Sequence, residues 1–107
     1  MKTVKTSDRK AIQVTGCTSI RLLTSADNMG FSVNKTMVPK GAPQHWHYKH
    51  HLEACYCVSG KGVLTSFETG DCFTIEPETM YVLDKHDDHT FQAIKDTVLI
   101  SIFNPIY

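Results

Sequence analysis

Between His45 and Glu53 the chain reads H-W-H-Y-K-H-H-L-E, and between Tyr81 and His89 it reads Y-V-L-D-K-H-D-D-H. Every histidine of the chain falls in these two stretches, at positions 45, 47, 50, 51, 86 and 89. Surface residues kept only for solubility would be spread more evenly. Imidazole nitrogen and carboxylate oxygen are donors that suit a divalent first-row metal. Held in a protein, such an ion acts as a Lewis acid toward a carbonyl oxygen. The two stretches flank a glycine-rich turn, which predicts an ion bound between two parts of one β-structure.

The elements that must position these donors are short strands. Apolar or alternating runs recur at close spacing with turn residues between them. They predict strands over Ile20–Leu23, Phe31–Val38, Glu53–Ser59, Gly62–Thr65, Cys72–Ile75, Tyr81–Leu83, Thr90–Ala93 and Thr97–Phe103. Between them lie Asn28-Met29-Gly30, the Pro39–Pro43 segment, Ser59-Gly60-Lys61-Gly62, Thr69-Gly70-Asp71 and Glu76-Pro77-Glu78, all turn-forming in composition. Residues 5–12 are expected to make one short helical turn capped by Ser7 or Asp8. Many short strands without a long helix predict an all-β sandwich or barrel. In a small barrel alternate residues point inward, so donors from separate strands can meet in the lumen. The run T-V-L-I-S-I-F at 97–103 is nearly all apolar and predicts a central or interface strand.

Length and composition narrow the function classes. A chain of 107 residues makes one domain, 1–107, around a single core. With 41% hydrophobic and 21% charged residues it reads as an ordinary globular protein rather than a disordered one. Eleven basic residues balance eleven acidic ones with no basic stripe, which argues against a nucleic-acid partner. A neutral surface favours self-association, and a homodimer through an edge or terminal strand is expected. The first residues lack the apolar core of a signal peptide, and no run reaches membrane-span length. A cytoplasmic location, without membrane partner and with reduced thiols, is the expectation. Cys55-Tyr56-Cys57 in a strand would send both thiols to one face, most simply as small buried hydrophobes.

Two patterns then carry a resemblance. Glu53 and Gly60 are separated by six residues, and Gly70, Pro77 and His89 follow with an apolar strand behind them. This resembles the cupin superfamily, whose fold is a double-stranded β-helix or jelly-roll barrel, although the usual H-x-H before the glutamate is displaced upstream. The longer strings H-Y-K-H-H-L-E-A-x-Y-C-V-x-G-x-G and T-M-Y-x-L-D-K-H-D-x-H look like ectoine synthase, a specialised cupin branch. R-L-L-x-x-x-D-N-M-G-F-S-x-N-x-T upstream and the later F-N-P extend that likeness over about residues 17–105.

The resemblance implies a hydro-lyase of compatible-solute synthesis that closes N-γ-acetyl-L-2,4-diaminobutyrate, a small amino-acid derivative, into ectoine with loss of water. It implies a divalent metal, foremost Fe2+, with Zn2+ or another first-row ion as alternatives. By motif its ligands, and the catalytic residues, fall on Glu53, Tyr81 and His89. Substrate contacts fall on Arg21, Asn34, Thr36, Tyr48 and Phe103. Cys17 stands where the family usually has tryptophan and Ser101 where it has cysteine. The family also continues past F-N-P with a covering tail, so a short member without that tail is expected. Another metal-dependent cupin enzyme acting on a related amino-acid derivative, or a non-catalytic solute- or metal-binding cupin, is the alternative.

Outside the resemblance, His45, His47, His50 and His51 are expected to orient and support the site rather than ligate. Asp84, Asp87 and Asp88 read as turn residues.

Overall fold

A computed structural model describes the whole chain, Met1–Tyr107. Its strands are β1 (Ala11–Val14), β2 (Cys17–Leu23), β3 (Ser32–Val38), β4 (Gln44–Trp46), β5 (Leu52–Ser66), β6 (Cys72–Ile75), β7 (Met80–Leu83) and β8 (His89–Asn104). Two 3-10 turns, Thr6–Asp8 and Ser25–Asp27, are the only helical pieces. All pairings are antiparallel. The order is β1-β2-β3-β8-β5-β6, with β4 added on β8 and β7 on β5.

Two long strands hold this arrangement together. The first half of β5 lies between β7 and the second half of β8, while its second half lies between β6 and the first half of β8. Beyond them, β3 pairs with the second half of β8 and β4 with the first. Both β5 and β8 therefore pass from one wall of a barrel to the other. The crossing in β5 is a run of bulges between Cys57 and Gly62. A bulge adds a residue and bends the strand. Its effect on the alternation is visible, since Glu53, Cys55 and Cys57 are buried before it and Leu64 after it.

Glycine is needed at this corner. Gly60 has φ +93°, and a Cβ there would stand 2.3 Å from the Asp96 carbonyl oxygen. At Gly62 a Cβ would stand 2.3 Å from the Phe91 ring. Thr97 fastens the same corner from β8, its hydroxyl accepting from the Lys61 N–H at 3.2 Å and donating to the Lys95 carbonyl at 2.7 Å.

The core gathers inward-pointing residues of both walls, among them Val38, Cys55, Cys57, Leu64, Ile75, Leu83, Phe91 and Leu99. Cys55 and Cys57 are fully buried while Tyr56 between them faces outward, as strand alternation requires. Cys17 is buried too, and Cys72 is the one exposed thiol. The 97–103 run is central, paired to β3 on one side and β5 on the other.

Three expectations are corrected. The helical turn expected over residues 5–12 shrinks to Thr6–Asp8, and Ala11–Val14 is a strand paired with β2. Ile12 and Val14 alternate with polar Gln13, a period that a sheet edge satisfies and a helix does not. The predicted pairs Glu53–Ser59 with Gly62–Thr65, and Thr90–Ala93 with Thr97–Phe103, are each one continuous strand. No helix is long and apolar enough to cross a membrane.

Candidate functional site

The period-2 alternation of the strands builds a cavity of about 480 Å³ inside the barrel. From β2 it receives Cys17, Ser19 and Arg21, from β3 Asn34 and Thr36, and from β8 Leu99, Ser101 and Phe103. Each set is spaced by two residues, so one face of each strand supplies the wall. Glu53 of β5 and Tyr81 of β7 complete that side, and Trp46, Tyr48 and Tyr107 also line the space. Of the eight residues that the family likeness picks out, Arg21, Asn34, Thr36, Tyr48, Glu53, Tyr81 and Phe103 all line this one cavity.

His89 sits behind the wall. It lines a smaller recess of about 260 Å³. Its ring packs against Trp46 and Tyr48, which line the main cavity, at ring-centre distances of 6.1 Å and 6.4 Å. The sheet register puts His89 opposite Trp46 on β4 and Ser66 on β5.

Glu53, Tyr81 and His89 are all buried, and each carries a buried polar atom without a hydrogen-bond partner: Glu53 Oε1, the Tyr81 hydroxyl and His89 Nε2. Leaving a buried polar group unpaired costs roughly 1–3 kcal/mol. Glu53 and Tyr81 carry theirs at the main cavity and His89 at the smaller recess, each short of a partner that a bound ligand could supply. The His89 tautomer fits a cation, because Nδ1 faces the Asp87 carbonyl oxygen at 2.9 Å and must donate to it. Its Nε2 lone pair is then free. Burial lowers the His89 pKa, which keeps the ring neutral. The Glu53 carboxyl is pushed up to about 7 by burial, with the nearby Ser101 hydroxyl working the other way. Burial also holds the Tyr81 hydroxyl well above the usual phenol range, with Cys55 and Glu53 adding to the effect. No three side chains drawn from His, Cys, Asp and Glu alone gather closely enough to hold an ion. A site built on Glu53 and His89 would need a donor of another type, and the Tyr81 phenol oxygen is an unpartnered one. Nitrogen, carboxylate and phenolate donors of this kind fit a first-row divalent metal.

Elsewhere on the wall the chemistry changes. Arg21 and Asn34 are opposed in the β2–β3 register, and Arg21 Nε and Asn34 Oδ1 are both buried without partners. One offers a donor with positive charge, the other an acceptor. Tyr48 and Phe103 meet edge to face at 5.0 Å and form an apolar wall. Burial, then the nearby Glu53 charge, raises the Tyr48 pKa far above that of free phenol, so it stays protonated.

Four of the five other histidines hold loops. His45 and His47 both approach the Asp88 carboxylate, which lowers the Asp88 pKa, the His45 hydrogen bond contributing most. Asp88 therefore ties the β4 segment to the β7–β8 turn, a larger part than a turn residue's. His86 Nδ1 lies 3.1 Å from the Tyr48 carbonyl and 3.2 Å from that of His51, and His51 Nδ1 lies 2.9 Å from the Pro105 carbonyl. Asp87 does behave as a turn residue, accepting from the Lys85 N–H at 3.1 Å. Sequence reasoning gave no role to Trp46, Gln44 or Tyr107, all of which line the cavity. The sole tryptophan of the chain, set between two histidines, was a signal in plain view.

Comparison with known proteins identifies the family and the fold. Residues 1–107 match the family described as ectoine synthase. An L-ectoine synthase of Marinomonas sp. (strain MWYL1) is 49% identical over 87 residues, which cover 81% of this chain and 67% of that protein. The chain thus spans about two thirds of that relative's length. The crystal structure of ectoine synthase from P. lautus superposes with a TM-score of 0.86 at 36% identity, covering 91% of this chain and 70% of that one. An RmlC-like cupin from Shewanella frigidimarina shares the fold at a TM-score of 0.76 and 20% identity, over 92% of this chain and 86% of its own. Matched along its whole length, and folded as its relatives are, the chain belongs to the ectoine synthase family, a hydro-lyase branch of the cupin fold.

Proposed function

We propose that this chain closes N-γ-acetyl-L-2,4-diaminobutyrate into ectoine, a cyclodehydration within one small molecule. The observation that carries the reading is the set of three partnerless buried donors, on Glu53, Tyr81 and His89, beside a cavity that also holds a partnerless arginine. Those three residues would hold a divalent metal, ferrous iron foremost, with zinc or another first-row ion as a substitute. When bound, the ion supplies Lewis-acid polarisation of the amide carbonyl.

The remaining work belongs to the chain. The N–H edge of Arg21 suits a carboxylate, which it can take in bidentate fashion. Asn34 Oδ1 is an acceptor for an amine N–H, and Thr36 beside it on the same face is a second polar contact. Tyr48 and Phe103 give an apolar wall against which the substrate chain must bend. Bending brings the α-amine against its own amide carbon, which gives the large effective-molarity gain of an intramolecular reaction. A C–N bond forms, the carbonyl C–O bond breaks, and two amine protons leave with that oxygen as water. Keeping bulk water from the cavity favours the dehydrated ring.

A cytoplasmic setting suits the four unpaired cysteines. A homodimer is supported by β7, which pairs only with β5 and leaves Met80 and Val82 half-exposed on a free-edged strand. The test of the activity is chelation and reconstitution. Protein stripped of metal is expected to form no ring by NMR, and ferrous iron under anaerobic conditions is expected to restore it. Full turnover by the stripped protein would remove the metal from the reading. Absence of ring closure after metal is restored would remove the reaction itself.

A further inference from the structure

Tyr107 makes more contacts around the cavity than its position near F-N-P suggests. Its ring lies 4.8 Å from Phe103, 5.2 Å from Tyr48 and 5.2 Å from His51, centre to centre. Its backbone N–H donates to the Ser32 hydroxyl at 3.0 Å, which ties it to the start of β3. The Arg21 guanidinium carbon lies over its ring at 5.5 Å from the centroid. It lines the same cavity as Arg21, and Arg21 Nε is buried with no partner.

We propose that Tyr107 is a positioning residue that makes the cavity select for a carboxylate. Only the choice of substrate rests on the ring-closing reading. A guanidinium is planar, and its hydrogen-bond donors all lie in the plane. An aromatic ring attracts the guanidinium face and leaves the in-plane N–H groups unused. With the ring 5.5 Å beneath its guanidinium carbon, Arg21 has less freedom to turn and less water on that side. What it presents to the cavity is an edge, the geometry that a carboxylate meets with two parallel bonds. Phe103 and Tyr48 brace the ring, and the Ser32 contact fixes its backbone. Tyr107 touches Arg21 and acts through it.

The experiment compares two probes and two variants. The probes are N-γ-acetyl-L-2,4-diaminobutyrate and its α-carboxamide, which replaces the charged two-oxygen acceptor that Arg21 would meet by a neutral amide. Binding is read from the fluorescence of Trp46, the only tryptophan, which lines the same cavity. The unaltered protein is expected to prefer the carboxylate probe. Tyr107→Leu keeps apolar bulk but lacks an aromatic face. It is expected to weaken carboxylate binding about five- to tenfold, the range of a partly desolvated cation–π contact, and to leave the carboxamide unchanged. Tyr107→Phe is expected to restore most of the preference. In turnover the Leu variant should raise KM far more than it lowers kcat. An unchanged carboxylate-to-carboxamide ratio in Tyr107→Leu overturns the proposal, as does equal weakening of both probes or an unaltered protein that binds neither. Selective carboxylate binding without ring formation would keep Tyr107 in this role while removing the ring-closing reaction.

Discussion

Burial raises the Glu53 pKa to about 7, so the folded chain holds that proton where an unfolded glutamate has released it. A raised acid pKa contributes stability that is fully present below about pH 4.5 and is lost as pH climbs through about 7. Each tenfold change in proton affinity is worth about 1.36 kcal/mol, so roughly 3 kcal/mol is lost by pH 8 in metal-free protein. Glu53→Gln has no proton to lose. We expect the metal-free Gln variant to match the parent near pH 4.5 and to exceed it increasingly toward pH 8 in urea melts, while ring closure is abolished. A stability gap that does not change with pH would show that Glu53 is not the buried acid described above. His89→Ala is likewise expected to end turnover with the domain still folded by circular dichroism. The thiols report on the same interior. Cys72 is exposed while Cys17, Cys55 and Cys57 are buried, so an aromatic disulfide reagent should titrate one thiol in native protein and four in denaturant.

At the scale of elements, the crossing of β5 and β8 decides where the donors stand. Gly60 makes the β5 corner possible, and Gly60→Ala sets a Cβ against the Asp96 carbonyl at a φ that side chains avoid. We expect it to destabilise the protein by about 1–3 kcal/mol, measured by denaturant unfolding, with weaker metal retention. This corner also explains what the sequence could and could not reveal. Cys72–Ile75 was legible in full, and Tyr81–Leu83 to within a residue, because apolar runs between turn signals mark them. Ser59-Gly60-Lys61-Gly62 carries the same composition as a hairpin turn, so one bent strand reads as two. β1 and β4 escaped notice because β1 is wholly exposed and β4 is three residues long, which leaves no buried stripe to detect. The cavity wall was legible through the family motif alone, in Arg21, Asn34, Thr36 and Phe103, which the structure brings to one cavity. Trp46 and Tyr107 enter it by packing between distant segments, and no local pattern in a sequence announces such contacts.

The whole molecule has no net charge and a strand edge with apolar side chains, and these together bear on association. Light scattering after size exclusion is expected to give twice the 12.0 kDa chain mass. Val82→Lys places a charge on the open β7 strand and should return the monomer, because edge lysines oppose strand pairing. A dimer that persists in this variant would place the contact elsewhere. Assembly of the site is also an all-or-none matter in space. Glu53, Tyr81 and His89 lie on strands that touch only through β5 and β8, and Glu53 itself is flanked by Leu83 and Phe103. On a ribosome, a nascent chain that has passed His89 already owns every donor yet has no vessel to put them in. Only when the stretch to Asn104 emerges can the barrel shut around them, so capture of the proposed metal would wait on the far end of β8.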